Sequence, residues 1–114
     1  MLASDNRLKK RKEFAYLYNN GKAKHTSTLT LVYLPTKNRK LKVGFSIGKK
    51  IGKAHTRNLI KRRLRMCVRE IISNMKDNFN VVFIAKAGIT EMNFPELSRQ
   101  VKYLVASCGL FENE

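Results

Sequence analysis

The segment Gly48–Arg65 carries eight Lys and Arg side chains in 18 residues and contains no acidic residue. On a helix, residues four positions apart share one side, and the cations here form such a row: Arg57, Lys61, Arg65 and Arg69. At about 100° per residue, Asn58 and Arg62 fall beside this row. Arg binds phosphate through a forked, bidentate contact, and Lys binds it as a point charge. Because no Glu stands where it would neutralise the row, the pattern predicts a phosphate-rich partner.

A basic loop precedes the predicted helix. It contains Lys49, Lys50 and Lys53, together with Gly48 and Gly52. The amino terminus of a helix attracts anions, because its backbone N–H groups lack partners within the helix. Loop and helix therefore predict a phosphate-binding segment, while a solvated charged helix face is the alternative that the pattern leaves open.

The whole chain is strongly basic. Its 114 residues contain 24 Lys and Arg against 8 Asp and Glu, which gives a formal net charge of +16 and a pI near 10.3. No acidic residue occurs between Glu13 and Glu70, and the 56 residues between them contain 15 Lys and Arg. A chain of this length is expected to form one domain, residues 1–114. Charge of this density favours nucleic acid as the partner.

The sequence argues against chemistry by the protein itself. His25 and His55 are the only histidines, and neither has a pair of carboxylates nearby. A nuclease of the two-metal type needs clustered carboxylates, which the basic stretch does not contain. We therefore expect no catalytic residue and no metal ligand in this chain.

The two cysteines, Cys67 and Cys108, form no CxxC pair and predict neither a disulfide framework nor a zinc site. Cys67 falls on an apolar helix face, which predicts a buried free thiol and fits a reducing cytosol. No apolar run approaches the roughly 20 residues of a transmembrane helix, and the first residues lack the apolar core of a signal peptide. The sequence thus predicts a cytoplasmic protein with no membrane partner.

Apolar periodicity predicts an α+β sandwich of two layers, with helices packed on a small sheet. The elements follow in the order helix, strand, strand, helix, strand, helix: residues 10–19, 27–34, 41–48, 57–75, 80–86 and 94–107. Thr56 is the predicted N-cap of the second helix, and Pro95 suits the first turn of the last one. The two neighbouring strands, joined by a polar loop, suggest an antiparallel hairpin.

Alternation along these two strands assigns their faces. In residues 27–34, one face carries Leu29, Leu31 and Tyr33, and the other carries Thr28, Thr30 and Val32. In residues 41–48, the expected core face carries Leu41, Val43, Phe45 and Ile47. Between them, small residues such as Gly44 and Ser46 let another backbone approach closely, or simply leave an exposed, weakly packed face. On the first helix, Phe14, Leu17 and Tyr18 share one side.

In this order, the basic loop and helix resemble the signature of the bacterial ribonuclease P protein family, Lys-Lys-x-x-Gly-x-Ala and then Arg-Asn-x-x-Lys-Arg-x-x-Arg. Its positions in this chain are Lys49, Lys50, Gly52, Ala54, Arg57, Asn58, Lys61, Arg62 and Arg65. Leu8 with Phe14 and Tyr18 is similar to the family's first helix, and Val43–Lys50 and Phe83–Gly88 are similar to two of its strands. The likeness covers almost the whole chain, and the full string is far more specific than RNxxKR alone.

The resemblance implies a compact α+β fold with a left-handed β-α-β crossover, against the general right-handed preference. It implies a protein subunit that promotes removal of the 5′ leader from precursor tRNA. The RNA subunit would perform the hydrolysis with Mg²⁺ that the RNA holds. The implied partners are ribonuclease P RNA and precursor tRNA, and no protein oligomer is required.

The resemblance also implies two sets of contact residues. The set expected to bind the catalytic RNA is Lys53, Arg57, Asn58, Lys61, Arg62, Arg65 and Arg69. The set expected to bind the leader is Phe14, Tyr18, Thr30, Val32, Ser46, Lys49 and Lys50. In this second set, the two aromatic residues line a cleft and the strand residues form its floor. Val32 stands where family members can carry an aromatic side chain, so leader stacking is expected to be weaker or differently placed here.

Two other classes of binding protein share part of this pattern. A ribosomal or rRNA-chaperone protein would have the same charge and the same lack of catalytic groups, but it would not need the full motif. A DNA-binding protein would use the helix over residues 57–69 for recognition. However, no second helix lies one tight turn away, as helix-turn-helix geometry requires.

Overall fold

The computed structural model describes residues 6–37 and 40–112. Its helices and strands, in chain order, are α1 (Arg11–Asn20), β1 (Lys22–His25), β2 (Leu29–Pro35), β3 (Lys42–Ser46), α2 (Ala54–Ile71), β4 (Phe79–Ala85) and α3 (Phe94–Ser107). Short 3₁₀ turns cover Lys49–Ile51, Ile72–Asn74 and Ile89–Glu91. All six predicted elements are present, and the α+β class is confirmed. Within the described ranges, no helix is both long enough and apolar enough to cross a membrane.

Two of the helices begin where side chains satisfy free backbone N–H groups. At α1, the carboxylate of Glu13 accepts a hydrogen bond from the N–H of Lys10 at 3.2 Å. At α3, the side chain of Asn93 accepts one from the N–H of Glu96 at 2.9 Å. Pro95 occupies the first turn of α3, as predicted. Both starts follow from local sequence, because a polar side chain near each start replaces a missing intrahelical partner.

The basic helix α2 begins one turn earlier than predicted. Its N-cap is Lys53, so Thr56, the predicted N-cap, lies inside the first turn. No side chain caps this end, so the helix depends on its apolar face for stability. That face consists of Ile60, Leu64, Cys67, Val68 and Ile71. Burial raises the pKa of the Cys67 thiol to about 11, and both cysteines are free, as expected.

The four strands form one sheet in the order β1-β2-β4-β3. Strand β2 is antiparallel to both β1 and β4, and β3 is parallel to β4. The predicted hairpin of β2 and β3 is therefore wrong, because β4 lies between them. β4 suits the central position because Val81 and Phe83 enter one core while Val82 enters another. The parallel pair is joined through α2, and the left hand of that crossover stays a prediction from the family resemblance.

Strand β1 was not predicted. Its four residues, Lys22–His25, are all exposed and show no apolar alternation. It forms an edge of the sheet, where charged side chains are common because they discourage pairing with another chain. Its register places Ala23 opposite Val32 and His25 opposite Thr30.

Apolar side chains cover both faces of the sheet. The larger core lies between the sheet and helices α2 and α3. The sheet is one of the two predicted layers, and these helices form the other. A smaller cluster on the other face consists of Leu8, Leu17, Val32 and Val82. Helix α1 therefore adds a partial third layer. The predicted faces of the two strands are confirmed, since Leu31 and Val43 lie in the larger core.

Phe14 on α1 packs directly over Gly44 on β3. A Cβ atom at Gly44 would lie 2.6 Å from Phe14 Cζ and 3.2 Å from Leu8 Cβ. The small residue on this face therefore admits a side chain of α1. Neither sequence interpretation, a neighbouring backbone or an exposed face, anticipated this arrangement.

Gly44→Ala should destabilise the protein by about 1–3 kcal/mol, because the added methyl group forces Phe14 and Leu8 away from the sheet. The midpoint of urea unfolding measures this change. Gly48→Ala is the matched control, because a Cβ atom there would meet nothing within 4 Å. Equal stability of the two variants would contradict the packing of Phe14 on Gly44.

Candidate nucleic-acid interface

Helix α1 crosses the sheet from β3 towards β2. Just before its start, the N–H of Leu8 donates to the carbonyl of Val43 at 3.0 Å. Just after its end, a Cβ atom on Gly21 would lie 2.9 Å from Val32 Cγ1. The strand registers place four residues side by side along this path: Gly44, Val82, Val32 and Ala23. Helix α1 therefore covers one transverse row of the sheet.

The next transverse row on the same face contains one residue from each strand. These four residues, here called the floor row, are His25, Thr30, Ile84 and Ser46. His25 is exposed, Ile84 and Ser46 are half-buried, and Thr30 is buried. At about 4.8 Å between neighbouring strands, the floor row extends roughly 14 Å across the sheet.

Phe14 and Tyr18 lie on the side of α1 that faces the floor row. Leu17 is buried beneath the helix, and Glu13 to one side of it forms an ion pair with Lys42 at 3.6 Å. Lys42 belongs to the row on the far side of α1 from the floor row. At about 100° per residue, Phe14 and Tyr18 fall on the opposite side of Leu17 from Glu13. The two rings therefore form a wall above the floor row.

The surface between this wall and the floor row is here called the aromatic cleft. The ring centroids of Phe14 and Tyr18 are 6.3 Å apart, and the rings are tilted by 50°. Phe14 is half-buried, whereas Tyr18 is 44% exposed and so offers a free aromatic surface. Lys49 and Lys50 are exposed in the 3₁₀ turn that follows β3, at the β3 end of the cleft. Phe14, Tyr18, Lys49 and Lys50, four of the predicted leader contacts, thus border the cleft, and its floor row contains two more, Thr30 and Ser46.

The seventh predicted leader contact, Val32, requires a correction. Its side chain packs with Leu8, Leu17 and Val82 beneath α1. Thr30 is equally buried, at 7% exposed, but it lies one row away from the path of α1. Helix α1 therefore separates Val32 from the aromatic cleft, although the face of Val32 was predicted correctly. The surface available for stacking comes from α1 and not from β2.

The residues predicted to bind the catalytic RNA form a band along α2. Four are exposed (Lys53, Asn58, Arg62 and Arg69) and three are half-buried (Arg57, Lys61 and Arg65). The Nε of Arg57 donates to the carbonyl of Gly52 at 3.1 Å, which holds the basic loop against the helix. None of the six cations forms a salt bridge in the part of the chain described, so their charge is available to an anion.

The two predicted residue sets meet at the β3 edge of the sheet. A groove of about 340 Å³ is lined there by Lys61 and Arg65 of α2, by Phe14 of α1 and by the middle of β3. Sequence reasoning had assigned Phe14 to the leader and the two cations to the catalytic RNA. The structure joins these assignments into one surface.

Arg7 and Lys9 also line this groove, although no sequence pattern had assigned them to it. They reach it because Leu8, which lies between them, docks on Val43 and enters the cluster beneath α1. No spacing in the sequence indicates this position, because the docking of Leu8 on β3 is a contact between distant segments of the chain.

Two further observations bear on what this surface can bind. A larger groove of about 730 Å³, between the end of α2 and α3, contains none of the predicted residues. Among residues 6–37 and 40–112, no three His, Cys, Asp or Glu side chains come together to hold a metal ion. The cations, the exposed ring and the polar side chains of the floor row are groups that bind a single-stranded nucleic acid.

The chain matches the family model described as Ribonuclease P over residues 2–109. The ribonuclease P protein component of Caldanaerobacter subterraneus subsp. tengcongensis is 34% identical over 108 residues, which cover 95% of this chain and 93% of that protein. The corresponding protein of Symbiobacterium thermophilum is 35% identical over 109 residues, which cover 95% of each chain. The chain belongs to the ribonuclease P protein family.

Solved structures of ribonuclease P proteins share this fold. The protein from Staphylococcus aureus has a TM-score of 0.86 and 22% identity, with 94% of this chain and 98% of that chain covered. The protein from Thermotoga maritima has a TM-score of 0.78 at 22% identity, with 86% and 94% covered. The ribonuclease P protein fold therefore extends over nearly the whole chain.

Arg57→Ala should lower both the stability of the protein and its affinity for RNA. The substitution removes the hydrogen bond to Gly52 as well as a charge, and we expect a loss of about 0.5–1.5 kcal/mol in the free energy of unfolding. Arg62→Ala is the matched control, since this exposed side chain should change stability by less than about 0.5 kcal/mol while still lowering affinity. Urea unfolding and titration of a labelled RNA measure the two effects. Equal stability of both variants would rule out a structural role for Arg57.

Proposed function

We propose that this chain is the protein subunit of ribonuclease P, which binds the catalytic RNA and the 5′ leader of precursor tRNA and promotes removal of the leader. One observation carries the proposal: Lys61 and Arg65 of α2 line one groove together with Phe14, whose ring forms part of the wall of the aromatic cleft. Membership of the ribonuclease P protein family supports a role in the ribonuclease P complex. The shared surface supports a role in which the protein holds two RNA segments side by side.

The band on α2 would bind the phosphate backbone of the catalytic RNA. From Lys53 to Arg69 the band spans roughly 24 Å, at about 1.5 Å per residue. Asn58 lies within it and offers an amide to a phosphate, a 2′-hydroxyl or a base edge. Each phosphate that a cation neutralises releases counterions, so affinity is expected to fall steeply with salt concentration.

The aromatic cleft would bind the single-stranded leader. The exposed ring of Tyr18 provides a stacking surface, and Lys49 and Lys50 attract phosphates to the β3 end. Stacking tolerates different sequences, because every base has a flat aromatic face. The cleft therefore suits the leaders of many different precursors.

The proposal assigns the hydrolysis to the RNA subunit. Mg²⁺ held by that RNA would supply activation of water and neutralisation of developing charge. The protein's residues bind and orient the leader. Their cations also reduce the repulsion between leader and catalytic RNA, which strengthens precursor binding. The proposed location is the cytoplasm. The two free cysteines are compatible with it, because thiols stay reduced there.

The direct test is cleavage of a 5′-extended precursor tRNA at low Mg²⁺ by a bacterial ribonuclease P RNA, with and without this protein. We expect the protein alone to be inert and to restore correct leader removal by the RNA. Tight RNA binding with no gain in cleavage would instead favour a ribosomal or rRNA-chaperone function.

Tyr18→Ala should weaken binding of precursor tRNA to the reconstituted enzyme by about fivefold or more, because stacking on one base contributes about 1–3 kcal/mol. Binding of mature tRNA, which has no leader, should stay unchanged. Tyr16→Ala is the matched control: this side chain is 62% exposed, but it lies about 160° around α1 from Tyr18. Dissociation constants for the two tRNAs decide the outcome. Equal losses for precursor and mature tRNA would contradict leader binding in the aromatic cleft.

A further inference from the structure

His25 lies at the β1 end of the floor row, on the edge strand that the sequence did not predict. Its Nδ1 is 2.8 Å from the Oγ1 of Thr30, across the β1–β2 pair. This hydrogen bond fixes the imidazole ring whichever of the two atoms donates. The other ring nitrogen, Nε2, has no hydrogen-bond partner among the described residues. A neutral imidazole has one donor and one acceptor, so Nε2 keeps one of these functions for an external group.

Tyr18 lies nearer to this end of the floor row than Phe14 does. Helix α1 begins above β3 and ends beside β2. Tyr18 follows Phe14 by four residues, so it lies about 6 Å nearer to β1 along the helix axis. Both Tyr18 and His25 are exposed, and both carry flat rings on which a base can stack. The aromatic cleft therefore has the ring of Tyr18 on its wall and, at its β1 end, the ring of His25 on its floor.

The other polar residues of β1 do not share this position. Lys22 and Lys24 pair with Tyr33 and Leu31, whose side chains lie on the face towards α2 and α3. Alternation along a strand therefore sends both lysines away from the aromatic cleft. On β1, His25 is the residue that presents hydrogen-bonding atoms to the cleft.

We propose that His25 is a further leader-binding residue, which holds one nucleotide of single-stranded leader between its imidazole and the ring of Tyr18. The inference rests on the proposed function and gives the leader a path. The cations that would bind the catalytic RNA flank the β3 edge, so the leader enters from that edge. It then crosses the floor row and reaches His25 last.

Precursor tRNAs with leaders shortened by one nucleotide at a time test this path. With the longer leaders, His25→Ala should weaken binding to the reconstituted holoenzyme by about 2–10-fold, as expected for one lost contact. Below the leader length that reaches β1, the same variant should bind like the unmodified protein. A merely structural role would reduce binding at every length. That result, or no reduction at any length, overturns the inference.

Lys24→Ala is the matched control, because it removes a cation from the adjacent position on the opposite face of β1. It should show no dependence on leader length. The double variant with Tyr18→Ala and His25→Ala should lose less affinity than the sum of the single losses, because both residues contact the same nucleotide. Additive losses would contradict the inference that both residues contact the same nucleotide. If the unmodified protein fails to promote cleavage, the proposed function fails; if it succeeds and only His25→Ala has no effect, this inference alone fails.

Discussion

Strand β4 is packed on both faces, and the other elements take their positions from it. Val81 and Phe83 lie in the larger core against α2 and α3, while Val82 lies in the cluster beneath α1. Its antiparallel neighbour β2 and its parallel neighbour β3 come from the first half of the chain. The floor row depends on this arrangement, because it combines residues from four strands that are not all adjacent in sequence. An aromatic cleft next to the motif helix therefore exists only when β4 occupies the centre of the sheet.

The ion pair between Glu13 and Lys42 contributes little to holding this fold together. Both side chains are partly exposed. Such pairs contribute little to stability in water. Against this, a net charge of +16 repels itself in the folded chain. The apolar clusters on the two faces therefore have to offset the repulsion, and a bound polyanion would stabilise the folded state by removing it.

Periodicity predicted the elements whose apolar side chains face a core. The stripe on α2 and the alternation along β2 and β3 were assigned correctly, because burial of one face leaves a regular mark in the sequence. The edge strand Lys22–His25 buries no side chain, so it leaves no such mark. The pairing of β2 and β3 was predicted wrongly because local patterns do not report a partner from far along the chain. β4 begins at Phe79, well beyond the loop that suggested a hairpin.

For the candidate site too, local patterns in the sequence were predictive and contacts between distant segments were not. The residue types of the motif identified α2 as the cationic helix, and strand alternation placed Thr30 and Ser46 on one face. The covering of Val32 depends on where α1 lies, and that position depends on the contact of Phe14 with Gly44. No spacing within the sequence expresses such a contact between distant segments. For the same reason, the position of Arg7 and Lys9 beside α2 could not be predicted from the sequence.

The position of β4 also sets the order of events during synthesis of the chain. Until residues 79–85 have been made, β2 and β3 each lack the neighbour with which they pair, and the cluster beneath α1 lacks Val82. Helix α2, with its unpaired cations, leaves the ribosome before the sheet that supports it can form. The complete sheet therefore assembles late rather than growing from the amino terminus. In the interval, the cations of α2 lie next to ribosomal RNA without a folded sheet behind them.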